Sequence, residues 1–272
     1  MSKTTEKIAL PIKLIAFDLD GTLLNQNQGI SIRNREAILE LRDKGFKLLI
    51  TTGRTISETK EACDGLAFDG YVCSNGMINL DENFSVIHKE WIPCSAVFEI
   101  LNQLSTKKIN YELNDEFGDI YVVEEHMDFL KKRIEKVRVR PKEELLSAIE
   151  NGSINILKFQ ILTIHNNIVI QDHIQVGDLP VAIIAVSPYN VEINKGGINK
   201  WIGLKHHLER FSLSDENVLS FGDSMNDIEI LSRSGWSVAM QNAGDMVKVA
   251  ARATTLCNDD DGVAYYLENF IL

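Results

Sequence analysis

The sequence predicts an α/β protein: a Rossmann-like, three-layer core on a parallel sheet, with a separate α+β unit inserted into it. Three observations lead there. Continuous apolar runs such as Ile12 to Phe17 and Phe46 to Thr51 read as strands buried on both faces, the mark of a central parallel sheet. These strands alternate with amphipathic helices over short links, which gives βαβ units with right-handed crossovers. In the middle of the chain the strands instead come partly in adjacent pairs, as in an antiparallel α+β unit. A length of 272 residues accommodates both parts.

Taken in order, the first strand ends in Phe17-Asp18-Leu19-Asp20-Gly21-Thr22. Ser31 is an N-cap for a helix to about Lys44, with Ala37, Ile38 and Leu41 as its apolar stripe and Gly45 at its end. The strand Phe46 to Thr51 follows and ends in Thr52-Gly53-Arg54. A helix over about Ile56 to Asp64 leads to a strand Tyr71 to Ser74, ending in Asn75-Gly76. From about Asp81 the pattern changes. Strands are expected at Phe84 to Trp91, Ile109 to Asn114, Ile120 to Glu124, Asn155 to Ile164, Val181 to Ser187 and Asn190 to Asn194. Helices are expected at Pro93 to Thr106, His126 to Val137 and Lys142 to Glu150. From Gly197 the first pattern returns: a helix carrying Ile202, Leu204 and Leu208, then a strand Val218 to Phe221 ending in Gly222-Asp223-Ser224-Met225-Asn226-Asp227. The last pieces are a helix at Ile228 and Leu231, a strand Trp236 to Met240, a helix at Met246, Val247 and Ala250, a strand near Ala253 to Leu256 and a final helix Val263 to Phe270. The expected domains are therefore 1–83 and 193–272 for the core and 84–192 for the insertion.

Composition narrows the class. Apolar residues make up 44% and charged residues 25%, ordinary values for a globular chain. A net charge of −11 argues against general nucleic-acid binding, which needs a basic surface. Small phosphorylated ligands stay allowed, because a local cation outweighs the global charge. Cys63, Cys73, Cys94 and Cys257 have no CxxC spacing and suggest thiols in a reducing compartment. No run approaches the roughly 20 apolar residues of a membrane span, and Met1 to Lys7 lead into no signal-peptide core. The expectation is a soluble cytoplasmic protein whose partner is a small molecule rather than nucleic acid or a membrane.

The polar strand ends carry the functional argument. Asp18 and Asp20 stand two residues apart and so share one face for as long as the strand continues, and Gly21 permits the backbone to turn at Asp20. Alone, the hexapeptide fits a solvated Asp/Gly turn as well as a site. In a parallel sheet, however, the carboxyl ends of strands share one edge. Asp18/Asp20, Thr52/Gly53/Arg54, Ser74/Asn75 and Asp223/Asn226/Asp227 then meet in one crevice. Carboxylates so concentrated demand a hard cation with oxygen ligands, which suits Mg²⁺. Carboxylates, a hydroxyl, an amide after a glycine and a lysine match phosphoryl transfer, where positioning and charge neutralisation do most of the work. An aspartate attacks phosphorus without prior deprotonation, and a second carboxyl group protonates the leaving oxygen and then activates water.

In this order, DLDGT, TTGR, SNG, the lysine-containing INK and GDSMND resemble the haloacid dehalogenase superfamily. Val238-Ala239-Met240 with Asn242-Ala243, and Asn258 to Val263, resemble its Cof-type phosphatases, which carry a type IIB cap. The resemblance implies an Mg²⁺-dependent phosphatase of small phosphorylated metabolites, either sugar phosphates or phosphorylated cofactors, acting through an aspartyl-phosphate. It implies Asp18 as nucleophile and metal ligand, and Asp20 as general acid/base with its backbone carbonyl on the metal. Asp223 becomes the third protein ligand of the metal, and Asp227 the support of the metal's water shell. The Leu19 backbone, Thr52, Gly53, Lys200 and Asn226 contact the phosphate. Lys195 lies close to Lys200 and is the other candidate for the phosphate-binding lysine. Trp201 stands where the family has glycine. A phosphomannomutase-like mutase and a non-catalytic phosphate-sensing module are the rival readings.

Other features read as structural. The basic stretch Lys131-Lys132-Arg133 to Arg140 is a solvated face, His206-His207 a helix surface, and Asp259-Asp260-Asp261 a turn. Arg54 either orders its loop or reaches substrate, and Asn75 is a polar contact at the site's edge. Asn114, Glu116 and Tyr121 in the insertion are possible contacts to a sugar or cofactor ring.

Overall fold

The computed structural model describes residues 11–107, 109–123, 138–162, 174–187 and 190–272. By internal contacts the chain forms two compact units. One takes the stretch ending at Arg54, then Glu58–His88 and Asn199–Leu272; the other takes Thr55–Ser57 and Lys89–Ile198. The boundaries of the insertion therefore fall at 89 and 198, later than the 84 and 192 read from the sequence.

The first unit is organised on β1 (Leu14–Phe17), every residue of which is buried. β2 (Lys47–Thr51) and β12 (Val218–Gly222) flank it, both parallel to it. Outward on one side lie β3 (Gly70–Cys73), β4 (Ile78–Asp81) and β5 (Val86–Lys89); on the other lie β13 (Trp236–Ala239) and β14 (Ala253–Thr254). The chain winds away from β1 through β2 and β3, and later from β12 through β13 and β14. Strand order thus reverses between β1 and β12, the switch point outside which open α/β sheets bind ligands.

Helices cover both faces. α1 (Ile32–Asp43) is capped by Ser31, whose hydroxyl accepts from Asn34 N at 3.1 Å, worth about 1 kcal/mol. The buried Asn34 amide in turn accepts from Ala264 N in α8 (Gly262–Phe270) at 2.9 Å, tying first helix to last. Phe17 stacks on Phe221 at 5.7 Å, and Phe221 meets Tyr266 of α8 edge-on. On the opposite face Leu14, Ala16 and Leu49 pack with Trp201, Leu204 and Leu208 of α5 (Lys200–Phe211), with Ile230 and Leu231 of α6 (Ile228–Arg233) and with Val247 of α7 (Asp245–Ala250). α2 (Ile56–Cys63) links β2 to β3.

Three sequence expectations change in this unit. β4 was not expected; it runs antiparallel to β3, so the core sheet is parallel only as far as β3. The expected strand at 84–91 is β5, and it belongs to this eight-stranded sheet rather than to the insertion. His207 is fully buried, not on a helix surface, because Gly70 opposite it lacks a side chain: a Cβ there would sit 2.4 Å from the imidazole Cε1. His206 stays near the surface, its ring stacked on His88 at 3.9 Å.

The second unit is a six-stranded sheet in the order β10 (Val181–Ser187), β11 (Asn190–Lys195), β9 (Ile156–Leu162), β6 (Tyr111–Asp115), β7 (Ile120–Val123), β8 (Arg138–Arg140). All its pairings are antiparallel except β7 with β8. α3 (Cys94–Thr106) and α4 (Lys142–Glu150) bury the stripes Ala96, Val97, Ile100, Leu104 and Leu145, Ala148, Ile149. β8 replaces the end of the expected basic helical face. The expected helix at 126–137 and the start of the basic stretch lie outside the described residues.

Candidate active site

β1 keeps its pairing one residue past its end, with Asp18 N donating to Phe221 O at 3.1 Å. The backbone then turns, and Thr22, Leu23 and Leu24 N all donate to Leu19 O. Gly21 makes this turn possible twice over. Its φ is +75°, and a Cβ on it would lie 2.4 Å from Asp223 Oδ2. The turn sends Asp18 inward, where it is buried, and leaves the Asp20 carboxylate half exposed.

Lys200 opens α5. Asn199 caps that helix by accepting from Ile202 N at 2.9 Å, so Trp201 enters the core without disturbing the helix start. The wholly buried Lys200 Nζ donates to Asp18 Oδ1 at 2.6 Å and to Asp227 Oδ1 at 2.7 Å. Asp227 Oδ2 accepts from Asp223 N and Ser224 N at 3.1 and 3.0 Å, which closes the loop after β12. Asp223 Oδ1 accepts from Thr22 Oγ1 at 3.1 Å. Asn242 Nδ2 donates to Gly21 O at 2.8 Å and approaches Asp223 Oδ2 at 3.4 Å, bracing the same turn.

Asp18, Asp223 and Asp227 each bring an oxygen within 4.8 Å of the others. Burial pushes the Asp18 carboxyl well above the usual carboxylate range; Lys200 pulls the other way, while Asp227 and Asp223 add to the rise. Burial and the Asp227 charge push Asp223 up to about 7. Burial opposes the charge on Lys200, but Asp18 and Asp227 more than offset it and hold its pKa above the ordinary lysine value. With all three carboxylates ionised, one ammonium leaves two negative charges uncompensated, the charge a divalent cation brings. All three donors are hard oxygens, so the residues present fit a Mg²⁺-type ion.

Two further strand ends lie in this unit. Thr52 is buried, its hydroxyl accepting from Arg54 N at 3.1 Å and its carbonyl from Asn75 N at 3.0 Å. Ser74, Asn75 and Gly76 all take positive φ, at 48°, 56° and 96°, a strained run of the kind that clusters at functional sites. It presents Asn75 Oδ1 to Asn226 Nδ2 at 3.0 Å and leaves Asn226 Oδ1 buried without a partner. Arg54 reaches Asp20: its Nε and one Nη donate to the two carboxylate oxygens at 2.7 and 2.6 Å, and it also bonds Gln28.

Among the residues expected from sequence, Asp18, Lys200 and Asp227, all buried, and the partly buried Asp223 are thus drawn into one cluster. The Asp20 side chain stands outside it, on Arg54. Lys195 pairs with Glu90 in the other unit, which leaves Lys200 as the lysine of the cluster. Thr22 and Asn242 were not singled out as site residues. Thr22 lies within the DLDGT motif and Asn242 within the stretch that resembles the Cof-type proteins, so the signal was present.

Carboxylates and a buried lysine gathered at the switch point of a parallel sheet suit phosphoryl transfer. The chain belongs to the haloacid dehalogenase-like hydrolases, whose family model matches residues 15–267. It is similar to the 5-amino-6-(5-phospho-D-ribitylamino)uracil phosphatase YcsE of Bacillus subtilis (strain 168), with 32% identity over 96% of both chains. It also resembles the pyridoxal phosphate phosphatase YbhA of Escherichia coli (strain K12), with 26% identity over 96% of this chain and 99% of that one. Among solved structures, the HAD subclass IIB sugar phosphatase BT4131 superposes with a TM-score of 0.79 at 26% identity, covering 94% of this chain and 98% of that one. The chain is a phosphoric monoester hydrolase of this family. Among the described residues no helix is long and apolar enough to cross a membrane.

Proposed function

We propose that the protein hydrolyses small phosphorylated metabolites in an Mg²⁺-dependent reaction through an aspartyl-phosphate on Asp18. The observation that carries this reading is the buried Lys200 Nζ held between Asp18 and Asp227. It leaves the Asp18 carboxylate tethered, oriented and away from bulk water, as an oxygen nucleophile requires. Asp18 Oδ forms a bond to phosphorus as the bond to the leaving oxygen breaks. Asp20 gives that oxygen a proton, then takes one from the water that attacks the phosphoaspartate, releasing inorganic phosphate and free Asp18. The Leu19 backbone, Thr52, Gly53, Lys200 and Asn226 hold the phosphoryl oxygens. Asp18, the Asp20 carbonyl and Asp223 would hold the ion, with Asp227 supporting them; the ion, when bound, neutralises charge on the phosphoryl group. With all four cysteines free thiols, we place the protein in the reducing cytoplasm.

The test is a single turnover of phosphorus-labelled substrate quenched in acid. Label is expected on the wild-type protein and absent from Asp18→Asn, which folds but does not turn over. Wild-type turnover by Asp18→Asn would end this reading.

A further inference from the structure

The turn after β3 is held in a costly conformation, and its contacts show what that cost maintains. Ser74, Asn75 and Gly76 take positive φ in succession, at 48°, 56° and 96°, which is unfavourable for the two that carry a Cβ. Each residue of the turn is pinned. Ser74 N donates to Arg54 O at 2.9 Å and Asn75 N to Thr52 O at 3.0 Å, so the polar end of β2 is fastened to it. Gly76 lies against the start of α5: a Cβ on it would stand 2.2 Å from Asn199 O, in the residue before Lys200. The Gly76 carbonyl accepts from Asn79 Nδ2 at 3.2 Å, and Asn79 of β4 is wholly buried. One strained turn thus joins the ends of β2 and β3 to the helix that carries Lys200. All of these residues belong to the first unit.

A side chain on a turn so held has a fixed position, and that of Asn75 supports the loop after β12. Asn75 Oδ1 accepts from Asn226 Nδ2 at 3.0 Å. Asn75 is 1% exposed, whereas Asn226 is partly exposed. Asn75 therefore stands behind Asn226, and a ligand in the crevice meets Asn226 first. The bond also decides which way the Asn226 amide faces. A carbonyl oxygen only accepts, so Asn226 turns its nitrogen to Asn75 and keeps a second N–H for another acceptor. Reversed, the two amide oxygens would meet lone pair against lone pair. Asn226 Oδ1 has no partner, so among the described residues no other side-chain bond orients this amide. We propose that Asn75 is a positioning residue of the phosphatase reaction: it aims the Asn226 amide at the phosphoryl group and itself touches no substrate. Expected from sequence as a contact at the site's edge, Asn75 is instead the support of one. The role presupposes the phosphatase reading and its phosphate contact at Asn226.

The experiment is a double-mutant cycle on p-nitrophenyl phosphate with Asn75→Gly, Asn226→Ala and both together, each assayed below its melting temperature. Glycine suits the left-handed backbone, so Asn75→Gly removes the side chain and leaves the turn; Asn75→Ala takes its place if the glycine variant does not fold. Turnover by wild type tests the phosphatase reading alone. Given that turnover, Asn226→Ala and Asn75→Gly are each expected to lower kcat/KM by about tenfold, with the loss divided in the same way between kcat and KM. In the Asn226→Ala background, Asn75→Gly is expected to cost less than about a further twofold, because the amide it aims is already gone. Losses that multiply would show that Asn75 meets the substrate, or braces the fold, independently of Asn226. That result, a different division between kcat and KM, or wild-type kinetics in either single variant overturns the proposal while leaving the phosphatase reading intact.

Discussion

Arg54 grips both carboxylate oxygens of Asp20, with Nε to Oδ2 at 2.7 Å and an Nη to Oδ1 at 2.6 Å. The fork aims the one carboxylate of the DLD motif that stays outside the buried cluster. A guanidinium does this and an ammonium does not, because only the planar fork bonds both oxygens at once. Since a charge-assisted hydrogen bond is worth about 1.5–3 kcal/mol, Arg54→Ala is expected to lower kcat/KM by about ten- to a hundredfold, with Arg54→Lys recovering only part. Steady-state kinetics on p-nitrophenyl phosphate read this directly. Activity of Arg54→Ala within twofold of wild type would mean that the fork does not position Asp20.

Lys200 is the only cation bonded to the buried carboxylates of Asp18 and Asp227 among the described residues. Replacing it with methionine keeps the length of the side chain and removes the charge. Breaking a buried pair from one side costs about 3–5 kcal/mol, so urea unfolding of Lys200→Met in metal-free buffer should show a loss of that order along with loss of turnover. A variant as stable as wild type would show that the two aspartates carry no net charge in the fold.

By the same charge count, a divalent cation bound at this cluster would stabilise the fold. Added Mg²⁺ is expected to raise the melting temperature, by the equivalent of about 2.7 kcal/mol at a hundredfold excess over its Kd, and chelation to reverse the rise along with activity. Asp223→Asn removes one of the three clustered carboxylates. It should therefore melt higher than wild type without metal and lose the Mg²⁺ response. A wild-type-sized Mg²⁺ shift in Asp223→Asn would place the ion elsewhere.

Much of this was legible because buried strands announce themselves. β1, β2, β3 and β12 are apolar runs that stop at polar residues, and the stops mark the crevice. What was hidden depended on partners far away in sequence. β4 is only the short stretch Ile78–Asp81, and it forms because β3 lies beside it. Arg54 offered two roles until its rotamer on Asp20 was seen. His207 reads as a surface residue until Gly70 is found opposite it.

That histidine gives the protein an acid-sensitive joint away from the cluster of Asp18, Lys200 and Asp227. Its imidazole is wholly buried near Phe211. Burial pushes its pKa down to about 4; Arg210 and His206 add to the fall, while the nearby Tyr71 backbone and Asp81 oppose it. An unfolded histidine titrates near about 6.5. Between these values the unfolded chain binds more protons than the native one, so stability rises with pH through this window and is lost as pH falls. A gap of about 2.5 units corresponds to about 3 kcal/mol, all of it present above the unfolded pKa. Urea unfolding at intervals from pH 4.5 to 7.5 should therefore show wild type losing more stability toward acid than His207→Gln, which has no proton to gain at this position. Carboxylate protonation affects both proteins alike and cancels in the difference. Parallel stability curves for the two would mean that His207 enters the native fold already able to take its proton.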